Sequence, residues 1–229
     1  MSDAAESPRA IALRGARDML PVMLGGIPFG LIAGVSASGL ELSPLEATAI
    51  SASVFAGASQ LAAYELLAND APLIVVFITA VIINLRFMIY SAAIAPTFRG
   101  EPLPKRIVYA YLLTDQAYAL TAARERSLPH RVAYYFGCAV PMWTMWVSTT
   151  AVGAFAGASI PPSWSLEFAV PLCFIALLAP AIRDRKQVAC AVVTAVAAVL
   201  LLKAPHHSGV ILSVLIGIGF GLALDRVRA

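Results

Sequence analysis

The chain has 229 residues, of which 60% are hydrophobic and 13% are charged, and its formal net charge is +3. Because soluble domains carry about 25% charged residues, this composition excludes a soluble globular protein and predicts an all-α polytopic membrane protein. The small net charge is uninformative by itself, and no nucleic-acid partner is expected.

Neither cysteine nor histidine is placed as a metal site or an enzyme would need. The three cysteines lie in apolar segments without paired spacing, so we interpret them as small hydrophobic side chains. The three histidines lie in short loops and form no ligand cluster. A Ser/His or paired-Asp catalytic set is also missing from the sequence. We therefore expect no metal, no cofactor and no enzymatic activity.

Eight apolar segments lie between two polar tails, residues 1–18 and 225–229, which are both predicted to be cytoplasmic. Residues 19–224 are thus predicted to form a single transmembrane domain, since about 20 apolar residues in a helix cross a bilayer. A cleaved signal peptide is the alternative interpretation of the first segment. Pro28 and Pro141 predict that some helices are kinked or discontinuous. The segments are 19–40, 44–67, 71–96, 107–123, 131–158, 165–182, 187–203 and 209–224.

Small residues recur every four positions in the first segment, at Gly26, Gly30, Gly34 and Ser38. Such a smooth helix face lets two backbones approach closely in lipid, so it predicts helix packing.

The second segment carries a small and polar face in an otherwise apolar run. Ser53, Gly57, Gln60 and Tyr64 follow a four-three-four spacing, which places them on one side of a regular helix. We interpret this face as the wall of a cavity.

The third segment contains Asn84 and Arg86 deep inside its apolar run. A charge at that depth costs about 2.5–3.5 kcal/mol and needs a partner or a wet cavity, so a functional role is the default interpretation. Two residues apart on a helix, the side chains point to nearly opposite sides. Either they serve different neighbours, or the helix is broken here and both line one cavity. A purely structural Arg86 is the alternative.

The fourth segment is short and polar, and Tyr111, Thr114, Asp115 and Tyr118 share one helical face. Asp115 is the natural partner of Arg86 or a proton carrier. In the fifth segment Trp143 and Trp146 lie too far inside the run for an interfacial belt.

The positive-inside rule favours a cytoplasmic amino terminus. With eight spans, 11 Lys and Arg residues lie inside and 4 outside, and Arg86 remains in the membrane. The loop with Arg99, Lys105 and Arg106 is the misfit, and it would move inside if the fourth and one earlier segment were re-entrant, leaving six true spans. An echo of residues 26–28 at residues 139–141 suggests two four-helix repeats.

Several motifs together resemble the AzlC family, the large subunits of branched-chain amino-acid exporters. The resemblance covers essentially the whole chain, and its most specific part is the combination of Phe-Ala-Gly-Ala-Ser-Gln at 55–60, which includes Ser59 and Gln60, with Asn-Leu-Arg at 84–86. Leu-Thr-Asp-Gln at 113–116 adds to it. The chain departs from the family pattern at Phe87 (commonly His), Gln116 (commonly Glu) and Glu167 (often Asp).

The resemblance implies export of Leu, Val, Ile or related neutral amino acids, driven by the proton motive force, together with a small membrane subunit of the AzlD type. The loss of titratable groups at Phe87 and Gln116 removes any proton-coupling role from those two positions. A transporter or channel for another small solute and a structural membrane subunit are the alternatives.

A zwitterionic amino acid needs a cation for its carboxylate, acceptors for its ammonium group and an apolar pocket for its side chain. Arg86 can supply the cation through a charge-assisted pair. Asp115, with Asn84 or Gln60, can supply the acceptors, and aromatic side chains can shape the pocket. The candidate substrate-binding residues are Arg86, Asn84, Asp115, Gln60, Ser59, Tyr118 and Trp143.

Overall fold

The computed structural model describes residues 7–124, 130–157, 159, 184–201 and 209–226, and in these ranges every regular element is a helix. The predicted segment 165–182 lies outside the described residues. The helices are α1 (Pro8–Gly39), α2 (Pro44–Ser53), α3 (Gly57–Ala68), α4 (Leu73–Ile94), α5 (Leu103–Tyr111), α6 (Asp115–Arg124), α7 (Arg131–Gly157), α8 (Arg185–Leu200) and α9 (Gly209–Arg226). A 3-10 turn, Ala95–Phe98, extends α4.

Two of these helices are long and apolar enough to cross a membrane by length and composition, namely α1 and α4 with its 3-10 turn. Most exposed side chains of α4 are large and apolar, and Phe77, Met88 and Ile89 all point outward. An apolar outer surface of this kind is what a lipid environment requires. Helix α7 is also long, with 27 residues or about 40 Å at 1.5 Å per residue. Its helical structure is continuous, but polar side chains and Pro141 interrupt its apolar sequence.

Helices α1 and α7 pack side by side and run in the same direction. Gly15 lies against the backbone of α7 at Tyr134, near the start of that helix, and Gly34 lies against Thr150 and Ala154, near its end. Glycines on α7, such as Gly153, lie in turn against the backbone of α1. The small-residue face predicted for the first segment is therefore a packing face, and it is confirmed as such.

Helix α4 runs in the direction opposite to α1. Its far end reaches the start of α7, where the rings of Phe98 and Tyr135 meet at a centroid distance of 5.1 Å. We call the end of the molecule at which α1 and α7 begin the basic end, and the other the opposite end. The basic end carries Arg9, Arg14, Arg17, Arg99, Lys105, Arg106, Arg124 and Arg131.

The second segment forms a hairpin of two short helices, α2 and α3, which we call the first hairpin. Ala47 of α2 and Tyr64 of α3 pack in one cluster with Ala37 and Ala154, the late residues of α1 and α7. Both outer ends of this hairpin therefore lie at the opposite end. Its tip, residues 54–56, turns back near the middle of α7, where Gly57 lies against the indole ring of Trp146.

The fourth segment forms a second hairpin, α5 and α6, which enters from the basic end. The hydroxyl of Tyr135 donates a hydrogen bond of 2.6 Å to the backbone oxygen of Tyr109 in α5. Arg124, the last residue of α6, pairs with Asp18 of α1 at 3.1 Å. The tip of this hairpin is residues 112–114.

The four hairpin helices have 9 to 12 residues each, or about 14–18 Å, which is half of a 30 Å hydrocarbon core. Segments two and four thus turn back halfway, and the six-span alternative fits the described helices better than eight spans. It also brings the misfit loop with Arg99, Lys105 and Arg106 to the basic end. No Lys or Arg occurs between Arg17 and Arg86.

The hairpin breaks overturn two face assignments. Ser53 ends α2 and is separated from Gly57 by the first tip, so the predicted continuous face of the second segment is wrong. Tyr111 ends α5 and Asp115 begins α6, so they do not share one helical face either. Both assignments assumed a regular helix through residues that form a tip.

The described helices repeat with an offset of 58 positions. Helices α3 and α6 begin 58 positions apart, at Gly57 and Asp115, and so do α4 and α7, at Leu73 and Arg131. Since the two hairpins enter from opposite ends, the two units are related by inversion. This repeat is shorter than the four-helix repeat suggested by the sequence echo, and it has the opposite sense.

Candidate functional site

The two hairpin tips meet halfway along α4 and α7, and we call this region the central layer. Asn84 and Arg86 lie near the middle of α4, and Trp143 and Trp146 lie near the middle of α7. Two helices, α3 and α6, start in this layer, so the positive ends of both helix dipoles lie there. The central layer comprises Phe55, Gly57, Ser59, Asn84, Arg86, Tyr111, Asp115, Trp143 and Trp146.

Arg86 and Asp115 form an ion pair in this layer, with 3.1 Å between Nη1 and Oδ2. The side chains are 34% and 36% exposed in the chain alone. Asp115 is the first residue of α6, where the helix dipole favours a carboxylate, and Thr114 caps the helix by accepting from the backbone of Ala117 at 3.2 Å. The predicted partnership of Arg86 with Asp115 is therefore present.

The pair keeps hydrogen-bonding capacity for a ligand. Arg86 Nε and Asp115 Oδ1 are buried and have no hydrogen-bond partner in the described structure. A buried polar atom without a partner costs free energy, so such atoms point to a missing ligand, water or ion. One free donor on a cation and one free acceptor on a carboxylate are complementary to a zwitterion.

Asn84 faces the first hairpin. Its amide nitrogen donates a hydrogen bond of 3.0 Å to Ser59 Oγ, and the Ser59 hydroxyl donates to the backbone oxygen of Ala56 at 2.9 Å. Asn84 Oδ1 is a further buried acceptor without a partner. Helix α3 starts at Gly57 with no side-chain cap, so its first backbone N–H groups are available to an anion.

Helix α4 is unbroken at Asn84 and Arg86. The first of the two alternatives from the sequence is therefore correct: the two side chains serve different neighbours. Asn84 contacts the first hairpin and Arg86 contacts the second, and the broken elements are the hairpins themselves.

Gln60 holds the first hairpin together. Its buried amide nitrogen donates to Ser51 Oγ at 2.6 Å and to the Tyr64 hydroxyl at 3.0 Å. Its carbonyl oxygen has no partner among the described residues. These contacts give Gln60 a role within the hairpin, next to Ser59, which faces α4.

Tyr118 flanks the ion pair on the side of the basic end. Its ring stacks on that of Tyr90, with centroids 4.6 Å apart and planes at 14°. The two tyrosines follow Asp115 and Arg86 by one helix turn each, and the Tyr90 hydroxyl interacts with the Asp115 carboxylate. Tyr90 was not among the candidate residues predicted from the sequence, although its position one helix turn after Arg86 could have indicated it.

Trp143 connects α7 to both hairpin tips. Its indole N–H donates a hydrogen bond of 2.6 Å to the Tyr111 hydroxyl. The Tyr111 hydroxyl donates in turn to the backbone oxygen of Ala52 in the last turn of α2, next to the first tip. The ring of Phe55 lies 6.4 Å from that of Tyr111. Tyr111 is thus the residue that joins the two hairpins, a role that helical spacing did not indicate.

We expect Tyr111→Phe and Trp143→Phe to weaken the same contact, the one between α7 and the second hairpin. Each variant removes the hydrogen bond from the Trp143 indole to the Tyr111 hydroxyl, worth about 1 kcal/mol. Tyr111→Phe also removes the bond to Ala52, and both variants lower the melting temperature in detergent. In a double-mutant cycle the combined variant is expected to lose less than the sum of the two. Tyr109→Phe is the matched control, because its hydroxyl donates to Glu101 at 3.3 Å, at the basic end and away from the Tyr111–Trp143 contact. Full additivity of the two losses contradicts the shared contact.

Comparisons with known proteins agree with a membrane protein. A family model described as "AzlC protein" matches residues 21–160. The inner membrane protein YgaZ of Escherichia coli (strain K12) is 28% identical over 235 residues, covering 96% of this chain and 91% of that protein. An uncharacterized membrane protein of Archaeoglobus fulgidus is 31% identical over 186 residues, covering 78% of this chain and 80% of the relative. No solved structure matches.

Proposed function

Since the chain belongs to the AzlC family of membrane proteins, we propose that it is a secondary transporter that exports branched-chain or related neutral amino acids. The observation that carries the proposal is the Arg86–Asp115 pair, 3.1 Å apart where two half-membrane hairpins meet. Re-entrant or broken helices at mid-depth are a usual setting for the binding sites of secondary transporters.

In the proposed binding mode, Arg86 and the uncapped start of α3 attract the carboxylate of the amino acid. The ammonium group binds the free oxygens of Asp115 and Asn84. The aromatic rings of Phe55, Tyr111 and Trp143 surround an aliphatic side chain. Binding exchanges part of the Arg86–Asp115 attraction for two charge-assisted contacts with the solute. The pair therefore joins α4 to the second hairpin when the site is empty and binds the solute when it is occupied. Tyr118, Ser59 and Gln60 position these groups.

We further propose that the coupling ion is a proton and that a small membrane subunit of the AzlD type completes the transporter. Phe87 and Gln116 offer no titratable group at positions where the family commonly has one. Asp115 is the carboxylate of the central layer within the described residues, which makes it the candidate proton carrier. The basic end faces the cytoplasm under the positive-inside rule, together with both termini. Catalysis is no part of the proposal.

The proposal is tested by following amino-acid release from cells loaded with dipeptides containing leucine, valine or isoleucine, and with a lysine dipeptide as the solute control. Strains express the chain alone, the chain with a small partner subunit, or the Arg86→Ala variant with that subunit. We expect partner-dependent release of the branched-chain amino acids, and a loss of about tenfold or more in Arg86→Ala, equivalent to about 1.4 kcal/mol in the barrier.

Arg99→Ala is the matched control, since it removes an arginine at the basic end, outside the central layer. It is expected to export normally. If every strain retains all amino acids equally while the proteins are present in the membrane, amino acids are not the substrate and another class of solute must be tested. Normal export by Arg86→Ala would remove Arg86 from the transport path.

A further inference from the structure

The two inverted units hold their hairpins in different ways. In the first unit, α2 packs closely on α7, and the side chains of Ala47 and Ser51 are fully buried. In the second unit, the equivalent helix α5 makes few contacts with α4, and most of its side chains, such as Ile107 and Val108, are exposed. Ala47 and Lys105 are equivalent positions, 58 residues apart, and Lys105 is mostly exposed.

A cavity of about 260 Å³ separates α4 from α5. Its polar wall residues include Arg106 and Ser91, while the remainder is mainly apolar. The cavity extends inward to Leu113, which is two residues before Asp115, and Ser91 immediately follows Tyr90 in α4. It therefore leads from the basic end toward the central layer. The apolar lining residues are Ile94, Ala95, Phe98, Leu103, Ile107, Ala110 and Leu113.

We infer that this cavity is the entrance for a small zwitterion with an aliphatic side chain. The equivalent entrance lies at the opposite end, and there the contact between α2 and α7 closes it. The inference rests on the proposed transport function. It adds the route that the solute takes and the alternate opening of the two ends of the molecule. Apolar walls suit the aliphatic group, and the guanidinium of Arg106 attracts a carboxylate.

Inversion of the two units gives the alternation a physical basis. One chain contains the same arrangement twice, open at the basic end and closed at the opposite end. We call the state in which the two ends have traded these conformations the exchanged state. It needs no new kind of contact, because each unit adopts the helix packing that the other unit has now. In that state α5 closes onto α4 and α2 separates from α7. Ala47, fully buried here, becomes accessible as its equivalent Lys105 now is, and the cavity beside Ala110 disappears.

The test measures the reactivity of Ala47→Cys with a small thiol reagent. The protein is purified in detergent with its partner subunit if one is required, and its own three cysteines are replaced by serine. Because Ala47 is fully buried in the described state, its reaction reports the exchanged state. Ala110→Trp places an indole in the cavity and prevents α5 from closing, so we expect the reaction of Ala47→Cys to slow by about tenfold or more.

Val108→Trp is the matched control, because Val108 lies on α5 but does not line the cavity. It is expected to leave the reaction rate unchanged. Ile107→Trp, which also projects from the cavity wall, serves as the second variant if Ala110→Trp fails to fold. Equal rates in all backgrounds overturn the inference, and so does an Ala47→Cys that reacts only after denaturation.

The thiol assay needs no substrate, so it separates this inference from the proposed function. Slowed labelling in Ala110→Trp without amino-acid export would retain the alternation and discard the assigned solute. Export with unchanged labelling would retain the solute and discard the route.

Discussion

Neutralising both partners of the central ion pair, as Arg86→Gln with Asp115→Asn, is expected to abolish export while the protein stays folded. Replacing a partly buried pair by neutral groups of similar volume is often tolerated, because the desolvation cost of two charges disappears together with their attraction. The amides retain hydrogen bonding across the 3.1 Å contact. A zwitterionic solute, however, loses both of its opposite charges in the site.

The single variants are expected to behave differently from the double variant. Asp115→Asn leaves the Arg86 charge without its partner at mid-depth, at a cost of about 2.5–3.5 kcal/mol. Arg86→Gln leaves the carboxylate unpaired in the same way. We therefore expect both singles to melt at a lower temperature than the double variant, and all three to lose export by about tenfold or more. Melting in detergent and release of leucine from loaded cells check these expectations.

A surface ion pair at the basic end provides the control for the neutral double variant. Lys105 and Glu101 lie 3.2 Å apart on one helix turn, and Lys105 is mostly exposed. Surface pairs of this kind contribute about 0–1 kcal/mol, so Lys105→Gln with Glu101→Gln is expected to export normally. If the neutral Arg86–Asp115 double variant also exports normally, the central pair only holds helices together and the binding site lies elsewhere.

Gly34→Ala is expected to destabilise the packing of α1 on α7. A Cβ at position 34 overlaps the backbone of α7 at Thr150 and Ala154, and backbone atoms cannot move aside as a flexible side chain can. Overpacking costs about 1–3 kcal/mol. It also pushes apart the two helices against which both hairpins rest, so folded protein and export should fall together.

Gly25→Ala is the control on the same helix. No atom lies within 4 Å of a Cβ built at Gly25, and the change gains up to about 1 kcal/mol of helix propensity. We expect its melting temperature to equal or exceed that of the parent, measured by size-exclusion chromatography after heating. Equal stability of Gly34→Ala and Gly25→Ala would show that α1 and α7 do not pack as closely as described.

The glycine pattern shows what local sequence can reveal. Small residues four apart in the first segment predicted a helix face for close packing, because a helix repeats every 3.6 residues and lipid offers no other reason for such a face. The depth of Arg86 in its apolar run likewise predicted a partner, and Asp115 is that partner. Both inferences rest on physical costs that apply before any tertiary contact is known.

Helical periodicity failed where the helix stops. Tyr111 and Asp115 look like neighbours on one face, yet residues 112–114 form a tip between them. No proline or glycine lies at that tip, so the sequence carries no ordinary break signal there. The break becomes favourable because Tyr111 bonds to Trp143 and to Ala52, while Asp115 bonds to Arg86 on another helix.

The sequence by itself determined that this is a helical membrane protein, that Arg86 needs an anionic partner, and that the family motifs lie at residues 55–60, 84–86 and 113–116. These follow from the cost of transferring charges and free backbone groups into lipid, which depends on residue type and depth alone. Only the tertiary structure decided that segments two and four are hairpins from opposite ends, and that Asn84 and Arg86 serve different ones. Such choices depend on which distant groups satisfy the ends of short helices, and local spacing holds no information about those partners.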